Sequence, residues 1–320
     1  MFRHIDYDMR RTALLAVVLL FSINCHAQFR VATYKDGKKA ALSFTFDDGA
    51  SDQLTLAIPQ LEERGWRGTF YIIGSFIPEG DGNGFTWNVI RDLAGRGHEI
   101  GSHTMTHRNL LEIPYEEAVK EVYDCDSLIL ARTGIRPLSF AFPFNAADAR
   151  IKSMAESGKV GSRTTQAVLG GRTTVDGFTK RLDETIDRDG WLVTMTHGIE
   201  KGYDHFASLE TFIGYLDLIR DREDDLWIAP FAEVTSYIKE RDDVRLDVRI
   251  KGRKVRIVPE CSLDREIFRS TLSLETPLPV RKARQGRKDL KVMRFGGKTL
   301  VEFNPFAGNI VLKLSQRADQ

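Results

Sequence analysis

Apolar positions in the first 240 residues fall into two kinds of pattern. Short, nearly continuous apolar runs, such as residues 40–46 and 68–73, read as strands buried on both faces. Between them lie stretches of helical period: residues 53–64, ending before Gly65, then 87–96, 115–133 and 209–221. In the third of these, Ala118, Val122, Cys125 and Ile129 recur at helical spacing. Further strands are predicted at 99–101, 139–142 and 190–196. Strands alternating with helices predict an α/β fold, a parallel sheet with helices outside it. After Glu240 the period becomes two. Leu246, Val248 and Ile250 alternate with charged residues, residues 251–254 read as a turn, and Val255 and Ile257 resume the alternation. Gly296-Gly297 marks another turn, and Ile310, Leu312 and Leu314 alternate again, predicting a small antiparallel β module.

The amino terminus follows neither pattern. Arg10-Arg11 precede an apolar run at residues 12–21, and Cys25-His26-Ala27 offers small residues at the −3 and −1 positions before Gln28. This is the layout of an export signal, and the run is short for a permanent span. The expected division is a signal peptide at 1–27, a main domain at 28–240 and the β module at 241–320. The expected destination is the periplasm or the cell exterior. Lipid anchoring at Cys25 is the alternative, although Ser22-Ile23-Asn24 suits it poorly. Cys125 and Cys261 then remain in different predicted domains, so a buried free thiol at Cys125 is expected rather than a disulfide.

Composition changes this picture in one respect. With 42% hydrophobic and 28% charged residues the chain can bury a core and is not disordered. The net charge of +1 hides an uneven distribution. Residues 1–240 hold 27 Lys and Arg against 35 Asp and Glu, a net of −8, whereas residues 241–320 hold 19 against 10, a net of +9. A basic solvated surface would account for this, and so would a tail that meets an anionic polymer or membrane face.

The candidate chemistry begins where the first strand ends, at Asp47-Asp48-Gly49. Adjacent carboxylates repel, so either something cationic should hold them or one should have a raised pKa. His103 and His107 follow, four residues apart, a spacing that can converge on one metal ion. Together they suggest a hydrolytic metal site with one Asp as ligand, the other as base, and both histidines as ligands. His98 has no partner at ligand spacing and reads as structural.

Thr45-Phe46-Asp47-Asp48-Gly49 and His103-Thr104-Met105-Thr106-His107 resemble the first two motifs of the polysaccharide deacetylases, the NodB-homology or family 4 carbohydrate esterases. Phe140-Ala141-Phe142-Pro143-Phe144-Asn145 is similar to the third motif, and Trp191-Leu192-Val193-Thr194-Met195-Thr196-His197-Gly198 to the last. The resemblance implies a distorted (β/α) barrel of about seven strands. It implies Asp47 as general base, Asp48, His103 and His107 as ligands of a divalent metal, with zinc expected, His197 as general acid, and the Phe144 amide as oxyanion donor. Trp191 is expected either as a wall of the site or as a plain core residue. Two departures stand out: Ala141 occupies the place of an Arg that pairs with the catalytic Asp, and Asn145 that of a Gly. Arg163 is the candidate replacement, with Asp187 and Asp189 as weak candidates for its support.

The implied activity is removal of acetyl groups from a glycan. N-deacetylation of chitin-like or peptidoglycan-like sugar comes first, and ester deacetylation of a plant polysaccharide such as xylan second. A catalytically silent glycan-binding member of the fold is the third reading. The expected partner is an acetylated oligo- or polysaccharide, with no nucleic acid and no stable membrane span.

Overall fold

The computed structural model describes residues 28–80, 82 and 84–315. The predicted export signal, including Cys25, therefore lies outside the described residues. In chain order the strands are β1 (Arg30–Val31), β2 (Ala40–Phe46), β3 (Gly68–Ile72), β4 (Glu99–Ser102), β5 (Ser139–Ala141), β6 (Gly161–Arg163), β7 (Ala167–Val168), β8 (Trp191–Thr196) and β9 (Leu226–Ile228). The helices are α1 (Ile58–Glu63), α2 (Trp87–Gly95), α3 (Tyr115–Thr133), α4 (Ala149–Ala155), α5 (Val175–Asp187), α6 (Leu209–Arg220) and α7 (Phe231–Asp243). Eight further strands follow: β10 (Arg245–Lys251), β11 (Lys254–Glu260), β12 (Leu272–Thr276), β13 (Val280–Gln285), β14 (Lys288–Leu290), β15 (Val292–Phe295), β16 (Lys298–Phe303) and β17 (Ile310–Leu314).

The chain divides into two compact units, Lys38–Ile238 with Glu266–Phe268, and the remainder. The larger unit is built on a curled parallel sheet in the order β6-β5-β4-β3-β2-β8-β7, with β9 also paired to β2. This curled sheet is the distorted barrel of about seven strands expected, with β9 as an eighth strand. Every pairing in it is parallel, so all its strands end on the same side. β2 is central and buried along its whole length, as its apolar run requires. The core between sheet and helices includes Phe44, Phe46, Phe70, Trp66, Leu93 and Phe212. Toward the barrel axis the strands turn polar side chains, among them Thr45, Ser139, Thr194 and Arg163, all buried. Helices α2, α4 and α5 begin on side-chain caps: Thr86 accepts from Val89 N, Asp148 from Ile151 N and Thr174 from Gly177 N. The predicted helix at 53–64 opens on a π-helical stretch at Gln53–Ala57 before α1.

The smaller unit holds two antiparallel sheets, β1-β12-β16-β15 and β10-β11-β17-β13-β14. Residues 28–37 fall in this unit rather than with the main domain that chain order suggested. The reason is β1, which pairs with β12 through Arg30–Glu275 and Val31–Leu274. Cys125 and Cys261 are both free thiols, the first buried.

Candidate active site

The polar cluster sits where the parallel strands end. Asp47 and Asp48 follow β2, His103 follows β4, Phe144 follows β5, Arg163 ends β6 and His197 follows β8. Backbone conformations of positive φ concentrate at this rim. Asp48 has φ 65°, Thr104 69°, His107 61° and Phe144 57°. Non-glycine residues rarely adopt this region, and such strain gathers where side chains must be aimed.

Asp48 and the two histidines converge. His103 Nε2 and His107 Nε2 each lie 3.4 Å from Asp48 Oδ1. One ligand atom from each of the three residues falls within 4.8 Å of the others. Asp48 Oδ1 is buried and has no hydrogen-bond partner among the described residues. A buried carboxylate oxygen normally has a partner, and one carboxylate with two imidazoles is a donor set suited to a divalent cation. The residues therefore fit the implied metal. Burial pushes the Asp48 carboxyl up, but neighbouring His103 and His107 more than offset it, leaving it below its ordinary value. Burial, aided by the charge of His103, lowers the His107 pKa and favours the neutral imidazole that a ligand must be.

Two supports fix the histidines. His103 Nδ1 lies 2.8 Å from the Ala141 carbonyl, to which it donates, leaving Nε2 as an acceptor that faces Asp48. The loop carrying His107 is bound to α3: Met105 N donates to the Glu121 carbonyl at 2.8 Å, and Thr106 N to the Glu121 carboxylate at 2.8 Å. Thr104 Oγ1 accepts from His107 N at 2.9 Å.

Asp47 points the other way, into the barrel. Arg163 Nη1 donates to Asp47 Oδ1 at 2.7 Å and Nη2 to Oδ2 at 2.5 Å, a two-pronged pair with both residues buried. Nη1 also donates to Thr45 Oγ1 at 2.7 Å, and the guanidinium lies 5.0 Å from the Tyr71 ring centroid. Burial pushes the Asp47 carboxyl up, but the charge and paired hydrogen bonds of Arg163 outweigh it and hold the group below its ordinary value. Arg163 thus stands where the sequence reading needed a cation. Asp187 and Asp189 do not support it. Both are exposed and precede β8, at the opposite end of the sheet.

His197 Nε2 lies 3.8 Å from Asp48 Oδ2, across from the histidine pair. Its loop is anchored by two residues not anticipated from sequence. Gln53 Nε2 donates to the carbonyls of Asp47 and His197, tying the two loops together. Asp52 Oδ2 accepts from the N–H groups of Ile199, Glu200 and Lys201 at 2.8–3.0 Å. Gly198 must be glycine here, because a Cβ would come within 1.6 Å of the Lys201 carbonyl oxygen. The only sequence signal for this pair is its position at the start of a helix directly after Asp47-Asp48-Gly49.

Two exposed aromatics flank the cluster. The Phe144 ring is 5.0 Å from the His107 ring, and the Tyr203 ring 5.1 Å from the His197 ring. Arg172 Nη2 donates to Tyr203 Oη at 2.8 Å, and its Nε to Asp204 at 3.0 Å. Trp191 is not a wall of the site. It is the first residue of β8, roughly 20 Å along the strand from His197. There it donates to Ser43 Oγ and packs on Phe231. His98 is structural as expected, accepting from Gly68 N and lying 3.1 Å from Glu62 Oε1. His205 is bonded to the Gly202 carbonyl, away from the cluster.

Residues 34–161 match the family model described as polysaccharide deacetylase. Over this segment the chain is similar to the polysaccharide deacetylases. Among known proteins, it is 24% identical to a gellan lyase of Bacillus over 290 residues, covering 78% of this chain and 11% of that protein. It is 25% identical over 118 residues to a peptidoglycan-N-acetylglucosamine deacetylase of Listeria monocytogenes, covering 37% of this chain and 24% of that protein. The chain thus spans a quarter or less of these two relatives. The fold is shared with a Mycobacterium smegmatis protein assigned to the polysaccharide deacetylases. Its crystal structure aligns with a TM-score of 0.50 at 17% identity, over 67% of this chain and 94% of that one.

Proposed function

We propose that the protein is a metal-dependent carbohydrate deacetylase that hydrolyses N-acetyl groups on a chitin-like or peptidoglycan-like glycan. The observation that carries this reading is the division of labour between neighbouring carboxylates. Asp47 is clamped by Arg163, while Asp48 faces His103 and His107. One is oriented as a base, the other as a ligand. A divalent ion, zinc by preference, would be held by Asp48, His103 and His107, where it would supply Lewis-acid polarisation of the acetyl group and a lowered pKa for water. Asp47, kept ionised by Arg163, accepts a proton from the attacking water. The Phe144 amide would donate to the developing oxyanion, and His197 would deliver a proton to the leaving nitrogen. The carbon–nitrogen bond breaks, and acetate and a free amine leave. Phe144 and Tyr203 would bracket the sugar. The N-acetyl preference draws on the Listeria relative's named activity.

The main domain is proposed as the catalytic one and residues 1–27 as an export signal. Among the described residues no helix is long and apolar enough to cross a membrane. Acetate release from a panel of N- and O-acetylated glycans, with and without chelator, tests the reading. Release from N-acetylated oligosaccharides that chelator abolishes is expected. Release from acetylxylan alone would move the substrate to the ester class, and no release from any would favour a silent member.

A further inference from the structure

The five-stranded sheet of the smaller unit carries a row of lysines in register. Lys251 of β10 pairs with Lys254 of β11, Lys254 with Lys313 of β17, and Lys313 with Lys282 of β13. Directly opposed residues of an antiparallel ladder share a face, so four ammonium groups stand side by side across four strands, all exposed. Neighbouring strands are about 4.8 Å apart, which sets the spacing of the row. The next row on the same face adds Arg249, Arg256 and Arg284, again in register through Val311. The carboxylates Asp247 and Asp289 neutralise only one edge each, pairing with Arg249 at one side and with Lys282 and Arg284 at the other. Lys251, Lys254, Arg256 and Lys313 have no carboxylate partner among the described residues. Lys251, Arg253, Lys254, Arg281 and Lys313 line a hollow of about 730 Å³.

Like charges directly opposite one another destabilise a sheet. Three consecutive lysine–lysine pairings are therefore a cost to the fold that burial does not repay, since every side chain in the row is exposed. An anion bridging the row would turn each of these repulsions into attraction. We propose that this face binds an acidic polysaccharide, a linear chain carrying carboxylates at the repeat of its sugars. The lysine row offers point charges at a spacing comparable to one sugar ring. It carries no aromatic side chain on which nucleobases could stack and no large apolar side chain to enter a bilayer. The surface is independent of the proposed active site and would hold the enzyme on an anionic matrix.

The test uses the full chain and a Lys251→Gln/Lys254→Gln/Lys313→Gln variant. A control, Lys120→Gln/Lys152→Gln/Lys180→Gln, removes the same charge elsewhere. Binding to polygalacturonate is measured at two salt concentrations, beside a neutral hydroxyethylcellulose, anionic phospholipid vesicles and single-stranded DNA. Acetate release from a small N-acetylated oligosaccharide is followed in parallel. Wild type and control should bind polygalacturonate, more weakly at higher salt, and ignore the neutral polymer. The row variant should bind roughly tenfold more weakly while keeping wild-type acetate release and equal or higher thermal stability. Equal loss in control and row variant, or no loss in the row variant, would overturn the proposal. Tighter binding to vesicles or DNA than to polygalacturonate would overturn the partner. A protein inactive on every acetylated substrate that still shows row-dependent binding would sink the deacetylase reading and leave this one standing.

Discussion

Ala141 and Arg163 face each other across the last two strands of the sheet, paired in register between β5 and β6. The guanidinium that clamps Asp47 is thus displaced by one strand, at the same level of the barrel, from the position that the family's third motif would give it. The small side chain at Ala141 leaves room for it.

This relationship predicts a rescue. Arg163→Ala should lower turnover roughly 100-fold with metal content unchanged, because a misaligned base wastes the attacking water. The double variant Ala141→Arg/Arg163→Ala should recover part of the loss. Steady-state rates with metal analysis decide it: a double variant no better than the single one would mean that the neighbouring strand cannot replace the clamp.

The same pair should set the acidic limb of the pH–rate profile. Asp47 is held below its ordinary pKa and must be ionised to act. Activity is therefore present above that lowered pKa and lost as pH falls through it. Removing Arg163 lets burial dominate, so the Arg163→Ala limb should move to higher pH. A profile of kcat/KM against pH that keeps its acidic limb unchanged would contradict this.

Asp47→Asn should keep its metal and lose roughly 100- to 10,000-fold in rate, since an amide accepts no proton. Asp48→Asn and His103→Ala/His107→Ala should lose metal as well as activity. Elemental analysis after dialysis separates these. Full metal in Asp48→Asn with none in Asp47→Asn would exchange the two roles.

Asp52→Ala should destabilise the fold by about 1–3 kcal/mol, because three N–H groups lose one charged acceptor. Its rate should also fall, since the loop carrying His197 is no longer anchored. Chemical denaturation and acetate release measure both. An unchanged rate would show that Gln53 alone holds that loop.

The sequence made the frame legible because buried parallel strands are apolar runs, and β2, β3 and β8 announce themselves in that way. The proposed metal ligands were legible because their chemistry demands unusual neighbours, two carboxylates together and two imidazoles at fixed spacing. β6 and β7 were not. Gly161-Ser162-Arg163 has no apolar run, because this part of the barrel faces a polar interior. Arg163 could be proposed only from the distance it lies beyond Pro143. Trp191 was misplaced for the converse reason: an aromatic beside a motif says nothing of which strand end it occupies. Asp52 and Gln53 escaped notice because they act on backbone atoms nearly 150 residues away, and no local pattern records that.

β6 has one further consequence. It ends the sheet and is hydrogen-bonded to β5 alone, through three register pairs, whereas β2 and β4 lie between neighbours on both sides. The proposed metal ligands are therefore fastened to interior strands, and the clamp on the proposed base to an edge strand. Edges open by sub-global fluctuation at lower free energy than interiors. On warming, or in dilute urea, catalytic competence should fade while the ion is still retained, so that inactivation and metal release trace two transitions rather than one.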